Sequence, residues 1–197
     1  MAARWPDRTF YAARMATPYT GHAPLQGSLV RLRAREPSDA SQLTPMFDDP
    51  DVLAGLQLAM PESLAGFREW AAATRGRENQ EVFAIETLAE RKAVGICGLE
   101  SIDARTRAAE FGIWIGKPFW GKGYGTDATR TACRFGFRYM NLQRIGLHVY
   151  ASNEKAQRVY ERVGFQREGV ERRGTFLGGR HVGVIEMGLL AEELVES

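Results

Sequence analysis

The chain reads Trp120-Gly121-Lys122-Gly123-Tyr124-Gly125-Thr126 at the point where a strand pattern gives way to a helix pattern. The three glycines stand at alternate positions, and Thr126 is expected to supply a capping hydroxyl at the helix start. Glycines let a backbone adopt positive φ and approach a ligand closely, while the free amides and positive dipole of a helix N-terminus favour a phosphate. The stretch therefore predicts an anion-binding turn, with a tight connection that holds no ligand as the alternative.

Two phosphate motifs do not fit these letters. A Walker A loop needs Ser or Thr directly after Gly-Lys, whereas Gly123 follows Gly121-Lys122 here. A dinucleotide fingerprint needs an acidic residue about 20 positions beyond its glycines, and the sequence has no Asp or Glu between Asp127 and Glu154. The turn therefore belongs to neither class of nucleotide site.

The sequence before the turn alternates with a period of two, which is typical of a strand. The two faces of this strand differ, since Phe111, Ile113 and Ile115 form the apolar face and Glu110, Gly112 and Trp114 form the other. After the turn, apolar residues recur at spacings of four, three and four over 128–139, which predicts one buried helix face. The turn therefore connects a half-buried strand to an amphipathic helix.

The same patterns elsewhere in the chain predict seven strands and four helices. Strands are expected at 29–33, 82–86, 94–100, 110–115, 145–149, 165–172 and 181–189, and helices from Pro37 to Phe47, from Pro61 to about Gly76, from the glycine turn to about Asn141, and from Asn153 to Gly164. Asn153 is expected to cap the last helix, and Gly164 to end it in a left-handed conformation. This order predicts a mixed α/β (α+β) fold whose central sheet carries helices on both faces.

The composition is that of a globular domain. With 197 residues, of which 44% are hydrophobic and 25% charged, residues 25–197 are expected to form a single domain after an N-terminal extension over 1–24. A net charge of +2 gives no argument for nucleic acid or an anionic membrane as a partner. Cys97 and Cys133 lack metal or redox spacing and are expected to be reduced core thiols. We find no apolar run of the ~20 residues that a membrane span needs and no secretory signal, so we expect a cytoplasmic protein.

The glycine turn and its surroundings resemble the GNAT superfamily of N-acetyltransferases. The coenzyme A loop of that superfamily has the form [Gln/Arg]-x-x-Gly-x-[Gly/Ala] between a strand and a helix, and Trp120 stands here in place of Gln or Arg. With Trp at this position, the loop resembles the one found in the branch of ribosomal-protein alanine acetyltransferases. The segments that match in order and spacing are Glu110–Gly116, Trp120–Gly125, Asn153–Ala156 with Tyr160, and Gly164-Phe165. The resemblance spans roughly residues 25 to 190 and implies a GNAT-like, mostly antiparallel sheet.

The resemblance implies an enzyme that transfers an acetyl group from acetyl-coenzyme A, its co-substrate, to a primary amine by direct attack in a ternary complex, with no metal. It also implies that the coenzyme contacts Trp114, Ile115, Trp120, Gly121, Lys122, Gly123, Tyr124, Gly125, Thr126 and Asn153. The backbone of Trp114 and Ile115 would pair with the pantetheine arm as an added strand does. The alternatives are a non-catalytic acyl-coenzyme A binding or sensor domain and a structural domain with an empty loop.

Two residues are the candidates for moving protons. Asn153 and Tyr160 lie seven positions apart on one predicted helix, about 20° short of two full turns, so they share a face. By resemblance Asn153 bonds the pantetheine arm and Tyr160 protonates the departing thiolate, whereas a helix cap and a core tyrosine are the alternatives. Glu110 is the candidate base that relays the amine proton through water, and a solvated charge at the strand end is equally open.

The resemblance also implies where the acceptor binds. By resemblance, residues 45–61 line the acceptor side, and they include Asp48, Asp49 and Asp51. These carboxylates either attract a cationic amine or serve as turn and cap residues around Pro50, and the second role is favoured. His148 and His181 have no partner at metal-ligand spacing and are assigned no metal. The acceptor is expected to be a small-molecule amine or a protein N-terminus, and the protein a monomer or a homodimer.

Overall fold

The computed structural model describes residues 24–56, 62–73 and 79–196. The strands in these ranges are β1 Val30–Arg33, β2 Glu81–Thr87, β3 Ala93–Asp103, β4 Ala108–Ile115, β5 Arg144–Tyr150, β6 Gln166–Leu177 and β7 Arg180–Leu190. The helices are α1 Ala40–Phe47, α2 Pro50–Leu53, α3 Leu64–Ala73, α4 Tyr124–Tyr139 and α5 Glu154–Val163. Residues 1–23, Pro61 and the predicted helix end near Gly76 lie outside the described residues, so the extension over 1–24 stays a prediction.

The seven strands form one sheet in the order β1-β2-β3-β4-β5-β7-β6. All neighbours are antiparallel except β4 and β5, which confirms the predicted mostly antiparallel sheet. The parallel pairing joins only Ala108–Glu110 to Arg144–Gly146. Beyond it, β4 stays paired with β3 as far as Ile115, and β5 with β7 as far as Tyr150. The sheet is therefore open between β4 and β5 after this short pairing.

Helices cover both faces of the sheet, as predicted. On one face α4 and α5 pack on the main core, which includes Leu99, Phe111 and Ile145. On the other, α1 and α3 pack a smaller cluster with Leu43 and Phe67 against β3. None of the described helices has the length and apolar character needed to cross a membrane.

The two cysteines lie in the main core. Cys97 on β3 and Cys133 on α4 are both free thiols, and both are buried. Burial raises the pKa of each thiol, because an apolar surrounding disfavours the thiolate. They are core thiols, as predicted, and neither is a nucleophile at neutral pH.

Local signals at the ends of α5 were predicted correctly, and one at the start of α4 was wrong. The Asn153 side chain accepts a hydrogen bond from the Ala156 amide at 3.2 Å, and Gly164 ends α5 with φ 113°. Helix α4, however, begins two residues before Thr126, and Gly123 holds its N-cap position with φ 83° and no side-chain bond. Thr126 is therefore not the cap, because the left-handed glycine already turns the chain into the helix.

Asp127, in the first turn of α4, joins that helix to the start of β1. Its buried carboxylate accepts hydrogen bonds from the amides of Ser28 at 3.0 Å, Leu29 at 2.7 Å and Val30 at 2.9 Å. A Cβ on Gly27 would come within 2.4 Å of this carboxylate, so the close approach requires glycine there. The carboxylate thus fixes the N-terminal end of α4 against the edge of the sheet.

We expect Asp127→Asn to lower the free energy of unfolding by about 3 kcal/mol, because the amide has one acceptor oxygen and turns an N–H2 group toward backbone donors. Urea unfolding measures the change as a lower midpoint at unchanged slope. Asp103→Asn is the matched control, since Asp103 accepts the amides of Arg105 and Thr106 in an exposed turn. Its effect should be much smaller, and equal losses for the two variants would contradict the role given to Asp127.

Candidate functional site

The opening between β4 and β5 is the mouth of a cavity of about 1020 Å³. It is lined by both strands, the glycine turn, the first turn of α4, residues along the whole of α5, and α2 with the segment that follows it. This volume lies at the upper end of the range for small-molecule sites, which is roughly 300 to 1,000 Å³. The cleft therefore has room for a long ligand that runs from the turn into the sheet.

The glycine turn presents backbone donors to one end of this cleft. Gly121 and Gly123 have φ of 74° and 83°, a left-handed conformation that favours glycine. The amide of Asp127 donates to the Gly123 carbonyl at 3.1 Å, so the amides of residues 124–126 precede it and lack partners within the helix. Free amides together with the positive end of a helix dipole are an arrangement that favours an anion such as a phosphate.

Trp120 fixes the turn to the end of β4. Its indole Nε1 donates to the carbonyl of Ile115 at 2.6 Å, and its ring lines the cleft with 40% of the residue exposed. The ammonium of Lys155 stands 6.0 Å from the ring centroid. Trp120 therefore positions the glycine backbone through its side chain.

The cations of the cleft come mainly from α5. The predicted ligand Lys122 is exposed, with its ammonium 5.3 Å from the Phe119 ring centroid, and it does not line the cavity. Lys155, Arg158 and Arg162 do line it, and their spacing of three and four places them on one helix face. Sequence reasoning missed this face, although its spacing is visible in the letters.

The main-chain N–H and C=O groups of alternate β4 residues are directed toward the opening between β4 and β5. A Cβ on Gly95 would lie 2.1 Å from the carbonyl oxygen of Trp114, so this carbonyl is directed at β3. The main-chain groups of successive strand residues point to opposite sides. The main-chain groups of Ile113 and Ile115 therefore face the opening, and the predicted backbone contact of Trp114, which also lines the cavity, stays a prediction. The Trp114 ring instead packs edge-on against Phe47, with centroids 5.4 Å apart.

Tyr160 and Asn153 enter the same cavity, as their spacing predicts. Tyr160 is 8% exposed, and its ring packs against Phe111 and Phe165 with centroids 6.5 and 5.8 Å away. Burial raises the pKa of its phenol, which therefore stays protonated at neutral pH. Asn153 uses its side-chain oxygen to cap α5, so its NH2 group is the part left for a ligand.

Two carboxylates and a histidine line the cleft from the opposite face of the sheet. Glu110 is paired with Glu100 across β3 and β4, so the two side chains share that face. The Glu110 Oε1 atom lies 3.8 Å from Nδ1 of His148 on β5, and both side chains are partly exposed. Nowhere in the described part of the chain do three or more His, Cys, Asp or Glu side chains form a group suited to a metal ion.

The predicted acidic cluster around Pro50 has mostly structural contacts. Asp49 accepts the amide of Asp51 at 2.9 Å and caps α2, a one-turn helix that the sequence did not predict. Asp48 accepts the amide of Glu62 at 2.9 Å. Asp51 lines the cleft, but Lys117 is 2.5 Å away, and this ion pair lowers the Asp51 pKa. The turn-and-cap alternative therefore describes Asp48 and Asp49.

Comparison with known proteins gives consistent matches. Residues 30–166 match the family described as acetyltransferase (GNAT) domain. The chain is 31% identical over 169 residues to the putative ribosomal N-acetyltransferase YdaF of Bacillus subtilis, covering 83% of this chain and 92% of that protein. It is 34% identical over 110 residues to spermidine N(1)-acetyltransferase of Escherichia coli, covering 56% of this chain and 58% of that protein. The crystal structure of spermidine N-acetyltransferase from Vibrio cholerae in complex with CoA and spermine aligns with a TM-score of 0.77 at 28% identity, covering 83% of this chain and 96% of that one.

Gly125 allows a test of the anion site that does not disturb the fold. It is the second residue of α4, and the nearest neighbour of an added Cβ would be Ile115 Cδ1 at 3.8 Å, an ordinary contact. Gly125→Asp places a carboxylate where it complements the helix dipole, so the melting temperature of the ligand-free protein should hold or rise. Coenzyme A binding, measured by calorimetry, should weaken at least about tenfold, which is 1.4 kcal/mol, because the carboxylate opposes the phosphates.

Gly125→Ala is the matched control, since it adds the Cβ without the charge. It should retain coenzyme A affinity within a few-fold of the parent protein. Equal affinities for the Asp and Ala variants would mean that phosphates do not approach the N-terminus of α4.

Proposed function

Because the chain belongs to the acetyltransferase (GNAT) domain family, it transfers an acetyl group from acetyl-coenzyme A to an amine, and we propose that the two substrates meet where β4 and β5 separate. The prediction of an acetyl-coenzyme A-dependent enzyme is confirmed by the family and by relatives named N-acetyltransferases. One observation supports this placement of the reaction. The cleft receives the phenol of Tyr160 from the apolar face of the sheet, and the carboxylates of Glu100 and Glu110 from the other.

The coenzyme side of the proposal uses the glycine turn and α5. The pyrophosphate fits the free amides of residues 124–126, where Gly121 and Gly123 leave the backbone bare. The pantetheine arm fits the open edge of β4 at the main-chain groups of Ile113 and the amide of Ile115, since the Ile115 carbonyl already accepts the Trp120 indole. The cationic face of α5 also lines the cavity and offsets the negative charge of the ligand, and Asn153 offers its NH2 group. Lys122, directed at Phe119, has no place in this proposal.

Tyr160 is proposed to protonate the leaving sulfur. Its phenol retains the proton at neutral pH because burial raises its pKa, so the proton is available when the thiolate forms. The aromatic contacts with Phe111 and Phe165 hold the ring in one orientation. The rest of catalysis is positioning, because no covalent intermediate is required.

The acceptor is proposed to be a primary amine that arrives as a cation. Glu100 and Glu110 give the acceptor side of the cleft negative charge close to the opening, and Glu110 provides a route for the amine proton. Of the relatives described above, two are named for spermidine and one as a putative ribosomal N-acetyltransferase. Polyamines and protein N-termini are therefore the two acceptor classes to compare.

The acceptor test follows thiol release from acetyl-coenzyme A in the presence of spermidine or of short peptides with a free N-terminal Ala or Ser. Nα-acetylated peptides serve as the control. We expect release with one class well above hydrolysis. Release with neither class, by a protein that still binds coenzyme A, would support the sensor alternative.

Glu100→Gln should separate the two acceptor classes in the same assay. Glu100 is exposed on the acceptor face, so removing its charge should raise the KM for a polycation more than for a peptide with one ammonium. The difference should shrink as the salt concentration approaches ~0.5 M, because exposed charges are then screened. A KM that changes with neither the substitution nor the salt concentration would show that Glu100 does not contribute to acceptor binding.

Tyr160→Phe should lower kcat by roughly two orders of magnitude, the usual effect of losing a general acid. Coenzyme A affinity and the melting temperature should stay unchanged, because the phenylalanine ring keeps the contacts with Phe111 and Phe165. Tyr139→Phe is the control, since Tyr139 stacks on Phe135 away from the cleft. Equal kcat for Tyr160→Phe and the parent protein would assign Tyr160 to the core alone.

A further inference from the structure

We propose that His148 takes the proton from the acceptor amine, with Glu110 beside it to stabilise the imidazolium by its negative charge. The inference rests on the proposed function and assigns the base of that reaction to a pair of side chains. Sequence reasoning gave His148 no chemical role, because its neighbour Glu110 lies on a different strand. The contact between Glu110 Oε1 and His148 Nδ1, at 3.8 Å, brings them together at the cleft.

The position of His148 along the sheet favours it over Glu110 as the group nearest the reacting nitrogen. Glu110 is still within the parallel pairing, opposite Gly146, where the sheet is closed. Two residues further along each strand, roughly 7 Å away, come Gly112 on β4 and His148 on β5. The strands have separated there, so the opening connects the two faces of the sheet at the level of His148. Tyr160 approaches the same level from the other face, against Phe111.

The space in front of Gly112 is open. A Cβ added to Gly112 would have no protein atom within 4 Å, although Glu110 and Trp114 flank it on the same face. An ammonium in this space would lie between the carboxylate of Glu110 and the Trp114 ring, with the imidazole of His148 across the opening. The geometry therefore provides a place for the amine next to a group that can receive its proton.

The protons and electron pairs balance without an additional reactant. His148 accepts one proton from the ammonium, and the freed lone pair forms the C–N bond. As the C–S bond breaks, Tyr160 protonates the sulfur, and the second proton of the nitrogen restores the phenol through water in the cleft. His148 releases its proton to solvent, which reaches its partly exposed side chain.

Several charged groups surround His148 and contribute to the pH profile of the reaction. Glu186 on β7 stands opposite it in the ladder, and Glu110 on β4 lies across the opening. The other charged groups that line the cavities with His148 include Asp51, Glu100, Asp103, Arg144, Lys155, Arg158, Arg162, Glu168 and Arg180. Arg144 and Glu168 form an ion pair with each other, so their charges largely cancel.

The test uses His148→Asn in the full chain, with His181→Asn as the matched control. His181 is an exposed strand histidine that packs on Phe176 and lines neither cavity. The nucleophiles are spermidine, a peptide with a free N-terminus, and hydroxylamine, which is uncharged at neutral pH and needs no proton removed before it attacks. Each is measured as kcat/KM against pH, with the spontaneous reaction of hydroxylamine subtracted.

We expect His148→Asn to lower kcat/KM for the ammonium acceptor about 100-fold at neutral pH and to remove the inflection on the acid side of its profile. The rate with hydroxylamine should stay within about threefold, and Glu110→Gln should give a smaller loss with the ammonium acceptor. In NMR spectra of the coenzyme A complex, the ammonium acceptor should move the imidazole signals of His148 and leave those of His181 in place.

Three results would overturn the proposal: equal losses with ammonium and hydroxylamine nucleophiles, an unchanged acid limb, or His148 signals that do not respond to the amine. A parent protein that acetylates none of the amines would instead overturn the proposed function, and this inference with it. If His148→Asn has normal rates while Tyr160→Phe is slow, the proposed function stands and only the role given to His148 is rejected.

Discussion

The separation of β4 and β5 is the constraint on which the rest of the site depends. Their parallel pairing ends at Glu110 and Gly146, yet both strands continue, because β3 holds the outer side of β4 and β7 holds the outer side of β5. Each far end is also tied to another element. The indole of Trp120 donates to Ile115 at the end of β4, and the hydroxyl of Tyr150 donates to the Leu56 carbonyl, after α2, at 2.9 Å. The opening is therefore held from both sides, with main-chain groups left free for a ligand.

The amides at the start of α4 are available to an anion only because the carboxylate of Asp127 is directed away from them. Asp127 lies in the first turn of α4, and a carboxylate aimed at the free amides would compete with a phosphate for them. Three amides of residues 28–30 bind it instead, and it does not line the cavity. The same residue therefore fixes the helix to the sheet and leaves the amides of the glycine turn available.

Features set by neighbouring residues could be predicted from the sequence, and features set by strand pairing could not. The turn, the Asn153 cap and the left-handed Gly164 follow from local chemistry, and the strand periods predicted seven strands, as many as the described residues form. The contact of Glu110 with His148 depends on the register of β4 and β5, which periodicity does not contain. The direction of the Trp114 carbonyl depends on pairing with β3 in the same way. For Asp48 and Asp49 two roles were open, and the structure shows the local one, because both carboxylates accept backbone amides in a turn and a helix cap.

The two faces of the sheet give the cleft two different environments, and acetyl transfer to an amine requires both. Tyr160 lies among aromatic rings, where burial raises its pKa and keeps its proton in place. Glu110 and His148 lie on the partly exposed polar face, where a cation is stabilised and a proton can leave to solvent. On one face of a closed sheet, a carboxylate beside the phenol would hydrogen-bond it and hold its proton away from the sulfur. Because the sheet stands between them and opens beyond Glu110, the proposed donor and the proposed acceptor of protons would meet through the substrates and not through each other.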